Sequence, residues 1–306
     1  MRRRYIPVDV FTDRAFGGNQ LAVVLDAGGL STAQMQAVAA EFNYSETTFV
    51  LPPRDPAHDA KVRIFTPRQE LAFAGHPNVG TAFVLAARAR VAPARLVFEE
   101  IAGLVPIEIE TNGSRVVGAE LTAPQRLRRM TTMGAEAAAA CLSLAPSELR
   151  LERHPPQIVS VGTAFLVAEV TSREALRNAK PNEAGFARVF PCDQAFAIYF
   201  YTGDVPAAEA PCDLQARMFF QGASSLIEDP ATGSATVAAA ALLADLSSER
   251  AGEFSLRIGQ GVDMGRPSLL LTRAIKRDGA VVSAHVGGSC IQMMEGTFHL
   301  QGEGWP

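Results

Sequence analysis

Two stretches of this chain, residues 79–87 and 235–244, are apolar on every side of a helix, and each follows a polar loop containing Pro and Gly. A helix with no polar face cannot lie on a surface, so each is expected inside its own shell of strands. The first stretch sits in FTPRQELAFAGHPNVGT, residues 65–81. An alternating run of Val62, Ile64 and Phe65 stops at Thr66-Pro67, a loop carries Arg68, Gln69 and Glu70, and Ala74-Gly75-His76-Pro77 opens the helix. Pro77 fits a first helical turn, where a missing backbone N–H costs nothing, and Gly75 lets backbone come close to a ligand. The second stretch follows LIEDPATGS, residues 226–234, with the same order of acid, Pro, Gly and small residues. Two such units half a chain apart predict a duplicated architecture, with both helix N-termini turned toward one cleft. Free N-terminal amides and the helix dipole suit a carboxylate or phosphate there.

The remaining elements read mostly as strands. Tyr5 to Phe11, Leu21 to Leu25, Thr47 to Leu51, Leu96 to Glu99, Leu104 to Glu110 and Val116 to Leu121 fill the first part, with Asn112-Gly113 as a hairpin turn. Ser31-Thr32 with Gln34 has the pattern of a capping box and predicts a helix to about Phe42. The segment from Ala123 to Met133 is polar, basic and contains Pro124, which marks it as a linker and domain boundary. An Ala-rich helix from Ala135 to Leu144 and a second series of strands follow. Many strands in antiparallel-style series around few helices predict an α+β fold, without the parallel alternation of a doubly wound sheet.

Charge and motif content remove whole classes of function. With 28 basic against 32 acidic residues and a net charge of -4, no domain-scale basic excess exists to neutralise nucleic-acid phosphates. Pro7 and Asp9 interrupt the run after the N-terminal arginines, so no signal-peptide core forms, and no apolar segment reaches membrane-spanning length. The expectation is a cytoplasmic protein with no membrane partner, in which Cys141, Cys192, Cys212 and Cys290 are free thiols. No cysteine or histidine spacing fits a metal site. Gly259-Gln260-Gly261 followed by Gly265 has the wrong spacing for a dinucleotide loop and leads into a strand, and neither a phosphate loop nor a nucleophile elbow occurs. Neither a metal nor a cofactor is therefore expected.

Two further positions carry chemistry. Glu46 falls at a helix-to-strand junction just before Phe49, Val50 and Leu51. Partial desolvation there suits a carboxyl to give and take protons, although spacing alone favours a surface residue at a strand end. Gly17-Gly18-Asn19 either turns backbone amides toward a ligand or makes a tight turn between two strands.

Taken together and in order, VDVFTDRAFGGNQLAVVL, NYSETTFV, FTPRQELAFAGHPNVGTA, EDPATGSA and QGVDMGRPS resemble the PhzF family of phenazine-biosynthesis-like isomerases. The match runs from about Val8 to the final strand. The resemblance implies a diaminopimelate epimerase-like fold: two pseudo-symmetric domains, each a β-barrel-like sheet around a central helix, with the active site between them. It implies domains of residues 1–122 and 123–288, the first completed by 289–306, and a homodimer. It also implies that Glu46 is the catalytic acid/base, assisted by His76 and Asp229, while Asn19, Gly75, Gly233 and Ser234 bind a small carboxylate-bearing substrate. A proton would leave one carbon and return at another, moving a double bond. Diaminopimelate epimerase and proline racemase use two cysteines at the helix starts, and here both places lack cysteine. Ala72 and Asn78 stand where the family usually has Pro and Thr, which bears on pocket shape. Two rival functions are a non-catalytic metabolite-binding protein on the same scaffold and a one-base epimerase or hydro-lyase of an amino or hydroxy acid.

Overall fold

The structure, a computed structural model, describes residues 2–207, 212–222 and 225–300. Residues 301–306, expected to help complete the first domain, lie outside the described residues. The chain divides into two compact units, the second being Thr122–Val286 and the first formed from the sequence on both sides of it.

In the first unit, strand β1 (Arg2–Val10) pairs antiparallel with β2 (Asn19–Val24), with Val8 opposite Leu21. Helix α1 (Thr32–Phe42) crosses over to β3 (Glu46–Leu51), which lies parallel to β2 with Glu46 opposite Leu21. The helix starts as its sequence dictates: Gln34 N donates to the Ser31 hydroxyl, and the Gln34 side chain accepts from Ser31 N. Strands β4 (Ala60–Phe65) and β5 (Glu70–Leu71) follow, then helix α2 (Gly75–Arg88). Next come β6 (Arg95–Glu100), parallel to β4, and the hairpin partners β7 (Gly103–Asn112) and β8 (Arg115–Thr122).

Every residue of α2 from Gly75 to Val84 is buried, as its uninterrupted apolar sequence requires. Gly80 sets how closely it packs, since a Cβ there would lie 2.6 Å from Leu21 Cδ2 and 2.7 Å from Val10 Cγ2. Thr81, wholly buried, meets Thr48 of β3 hydroxyl to hydroxyl at 2.8 Å, so a polar tie joins this helix to the strands around it.

The second unit opens with β9 (Arg128–Thr132), which pairs with β11 (Gln157–Ser160). The segment expected to be a linker is thus partly a strand. Its arginines and threonines are exposed, and an exposed strand reads from sequence as a polar connection. Helix α3 (Ala135–Leu142) ends two residues earlier than expected, where Ser143 turns left-handed at φ 55. After β10 (Leu149–Arg150), strand β12 (Ala164–Val170) runs parallel to β13 (Ala197–Thr202). Two short crossover helices not expected from sequence join them, α4 (Arg173–Asn178) and α5 (Glu183–Val189), capped by Ser172 and Asn182.

Strands β14 (Leu214–Gln221) and β15 (Leu226–Glu228) precede helix α6 (Gly233–Leu246), which is buried along most of its length. Strand β16 (Gly252–Gln260) then lies parallel to β14. Thr236 of α6 meets the Tyr199 hydroxyl of β13 at 3.1 Å, a tie like that of Thr81 in the first unit. Strand β17 (Ser268–Arg277) pairs antiparallel with β16, and β18 (Ala280–Gln292) contains the boundary between the units. Its final residues return to β1, pairing Cys290 with Val10, and β19 (Gly296–His299) pairs with the start of β1. Among the described residues the pairs β2–β3, β4–β6, β12–β13 and β14–β16 are parallel and bridged by helix, so the sheets of this α+β fold are mixed. A strand's own alternation cannot reveal which neighbour it will pair with, so the sequence read as an antiparallel series.

Candidate active site

In the first unit four expected residues converge. Asn19 is the first residue of β2, Glu46 the first of β3, and Gly75 and His76 the first two of α2. Parallel pairing of β2 with β3 places two strand starts on one side, and the helix begins beside them. His76 Nε2 stands 3.3 Å from Glu46 Oε2, with the two side chains 6% and 17% exposed. Asn19 Nδ2 lies 3.4 Å from His76 Nδ1. Nδ1 accepts from this amide in one tautomer and donates to the Gln20 backbone in the other, so these two neighbours decide which ring nitrogen carries the proton. Burial drives the imidazole down to about 3, against a smaller opposing effect of a hydrogen bond with the Gln20 backbone. At neutral pH His76 is therefore uncharged, and its Nε2 stands beside the Glu46 carboxyl without the geometry of a hydrogen bond.

The start of α2 has no side-chain cap, because its N-cap is Ala74. In contrast, α1, α4 and α5 each have a Ser or Asn whose oxygen accepts from the first turn. An uncapped N-terminus keeps amide donors for another acceptor. Asn78, wholly buried, turns its Nδ2 back to the Ala74 carbonyl at 3.0 Å, holding the turn that carries Gly75 and His76. Beside it, burial pushes the Glu100 carboxyl up to about 8, against a smaller lowering by the Asn78 amide. Sequence reading missed Glu100, which looks like one of a pair of strand-end acids; its neighbour Glu99 is held down at about 2, chiefly by the Asp55 N–H.

The second unit holds Asp229 immediately after β15, with Gly233 and Ser234 as the first two residues of α6. The N-cap of α6 is Thr232, yet its side chain caps nothing. Its hydroxyl instead donates to Asp229 Oδ2 at 2.5 Å. Gln260, wholly buried at the end of β16, reaches both residues: Nε2 donates to the Asp229 carbonyl at 2.8 Å and to Thr232 Oγ1 at 3.1 Å, and Oε1 accepts from Thr232 N at 3.1 Å. Sequence reading missed Gln260 because it stands in the Gly259-Gln260-Gly261 segment set aside as a broken dinucleotide loop. Its signal was the QGVDMGRPS segment, which entered only as part of a resemblance.

No disulfide joins any of the four cysteines, and none lies at the start of α2 or α6. Burial pushes the Cys141 thiol up to about 12 and raises Cys290 as well, so neither supplies a thiolate readily. Among the described residues no group of three or more His, Cys, Asp or Glu is arranged to hold a metal, and no helix is long and apolar enough to cross a membrane.

Comparison with known proteins bears on family and fold. A family model of phenazine biosynthesis-like proteins matches residues 8–296. The chain is 37% identical to an uncharacterized isomerase of Mesorhizobium japonicum over 306 residues, covering 97% of this chain and 99% of the relative. It is 34% identical over 299 residues to the trans-2,3-dihydro-3-hydroxyanthranilate isomerase of Pseudomonas chlororaphis, again covering 97% and 99%. The crystal structure of a Bacillus anthracis phenazine biosynthesis protein of the PhzF family is similar in fold, with a TM-score of 0.84 over 98% of this chain and 100% of that one at 23% identity. The likeness of fold extends to a hydroxyproline epimerase from Agrobacterium vitis, with a TM-score of 0.60 over 97% and 91% at 13% identity.

Proposed function

This chain belongs to the PhzF family of phenazine biosynthesis-like proteins, and from that premise we propose that it is a cofactor-independent isomerase. Its substrate is a small unsaturated metabolite bearing a carboxylate. The observation that carries the reading is the contact of Glu46 with a buried, neutral His76 at the uncapped start of a buried helix.

In this reading the Glu46 carboxylate takes a proton from one carbon of the substrate. The freed electron pair shifts the double bond, and Glu46 returns the proton to the carbon at its far end. No atom is gained or lost, so no second reactant is needed. His76 places an uncharged ring nitrogen 3.3 Å from the Glu46 carboxyl, so a small shift makes a hydrogen bond that brings no charge. Gly75, Gly233 and Ser234 lie at helix starts whose free amides suit the substrate carboxylate, while Asn19 holds His76 and Asp229 assists by hydrogen bonding or proton relay. The family relationship also leads us to propose a homodimer, which sedimentation velocity would read as twice the chain mass.

The test is isotope uptake. The protein is incubated in deuterated water with a set of unsaturated and amino carboxylates, including a dihydro-hydroxyanthranilate, and deuterium is located by NMR. Uptake at one carbon that is lost in Glu46→Gln supports the reading. Full turnover in that variant would overturn it. Binding of a carboxylate that never exchanges would instead favour a metabolite-binding protein.

A further inference from the structure

The hydrogen-bond chain under the start of α6 has only one polarity. Thr232 N can only donate and the Asp229 carbonyl can only accept, so between them they fix the orientation of the Gln260 amide. The second proton on Gln260 Nε2 then points at Thr232 Oγ1 and occupies its lone pair. A hydroxyl that accepts there turns its own proton elsewhere, and the Asp229 carboxylate oxygen lies at 2.5 Å to receive it. The same diversion is why Thr232, at an N-cap position, caps nothing.

The geometry points to Gln260 as a positioning residue: from the end of β16 it aims the Thr232 hydroxyl at Asp229 and so leaves the first amides of α6 without a side-chain acceptor. The neighbouring backbone is built for this approach. Gly261 is left-handed at φ 74, and a Cβ on it would lie 2.6 Å from the Pro230 carbonyl. Ser268, paired with Gln260 across the strands, donates its hydroxyl to the same carbonyl at 3.1 Å. The expected consequence is that Asp229 is kept ionised by a donor that cannot turn away.

Charged groups also stand on the segments packed against this loop. Glu228 and Arg217 hold one another at 2.8 Å, and on the turn after Gln260, Asp263 pairs with Arg173 at 2.9 Å, with Arg266 following. The inference concerns how Asp229 is held, and its value for catalysis rests on the isomerase reading above. Its test therefore does not use turnover.

The carboxyl carbon of Asp229 is followed by NMR in the full chain labelled with 13C-aspartate and titrated with acid, with Asp229→Asn as the assignment control. Thr232→Val removes the hydroxyl at nearly constant volume and is expected to raise the Asp229 midpoint by about one pH unit; Thr232→Ser restores it. Gln260→Leu raises the midpoint in the same direction, because the hydroxyl is then free to turn. A midpoint unmoved in Thr232→Val overturns the inference. One that moves in Thr232→Val but not in Gln260→Leu refutes the role of Gln260 in a variant whose fold the same spectra report. Failure of every carboxylate to exchange deuterium would sink the isomerase reading while leaving these midpoints readable.

Discussion

A histidine whose burial leaves it neutral changes what acid does to this protein. The unfolded chain takes up a proton at His76 near the usual 6.5, whereas the folded chain refuses it until about 3. The contribution of His76 to stability is therefore whole above pH 6.5 and falls as pH drops toward 3. His76→Gln should flatten part of that acid slope in a plot of Tm against pH, and an unchanged slope would argue against a buried neutral imidazole. Glu100 has the opposite sign. Its folded value is raised from 4.5 to about 8, so its contribution is whole below 4.5 and is lost as pH rises to about 8. Glu100→Gln, which stays neutral, is expected to be more stable than the parent at pH 8 and similar at pH 4, as urea unfolding would show. For the chemistry itself, Glu46→Gln should lower deuterium exchange at least about a hundredfold, the usual worth of a positioned acid/base, with Tm little changed. Glu46 and His76 were singled out through the family resemblance carried by the Ser-Glu-Thr and Ala-Gly-His-Pro contexts, since spacing alone favoured a surface residue at Glu46. Glu100 was not, because its environment includes Asn78, a residue distant in sequence.

An element's place in this fold depends on close approaches that its sequence only partly discloses. The all-round apolar runs foretold α2 and α6, since nothing but burial suits such helices. The 2.6 Å clearance at Gly80 could not be foretold, because it depends on Leu21 and Val10 from strands distant in sequence. Gly80→Ala should gain about 1 kcal/mol of helix propensity and lose about 1–3 kcal/mol to overpacking against two side chains, one of them stiffly β-branched. The expected net is a loss, read by chemical denaturation. The short helices α4 and α5 escaped notice because six or seven residues hold too few turns for a period to show. Their caps, Ser172 and Asn182, were the available signals. Gln260 was passed over for a different reason: the glycines around it serve a tight meeting of strand and loop, and that use has no fixed spacing.

The division of the whole chain sets apart what is local from what depends on distant sequence. The second unit is one continuous stretch, Thr122–Val286, while the first needs residues from both sides of it. Strand β1 is paired along one edge by β2 and along the other by the end of β18 and by β19. A chain ended after Val286 should therefore leave β1 with a bare edge and lose the protease resistance of the first unit. If limited proteolysis shows that unit as resistant in the shortened chain as in the full one, the return strand is dispensable. A return of the chain to the first domain from residue 289 was expected only through the family resemblance, since nothing in the composition of residues 289–299 says where they pair.

During translation this arrangement separates the appearance of the proposed reactive groups from their assembly. Glu46 and His76 leave the ribosome early, but the strand that closes their sheet is made after the entire second unit. Until then the nascent first unit presents an open edge to any chaperone, protease or neighbouring chain that can pair with it. A premature stop upstream of Cys290 consequently yields no partial enzyme, only an unfinished sheet exposed to disposal.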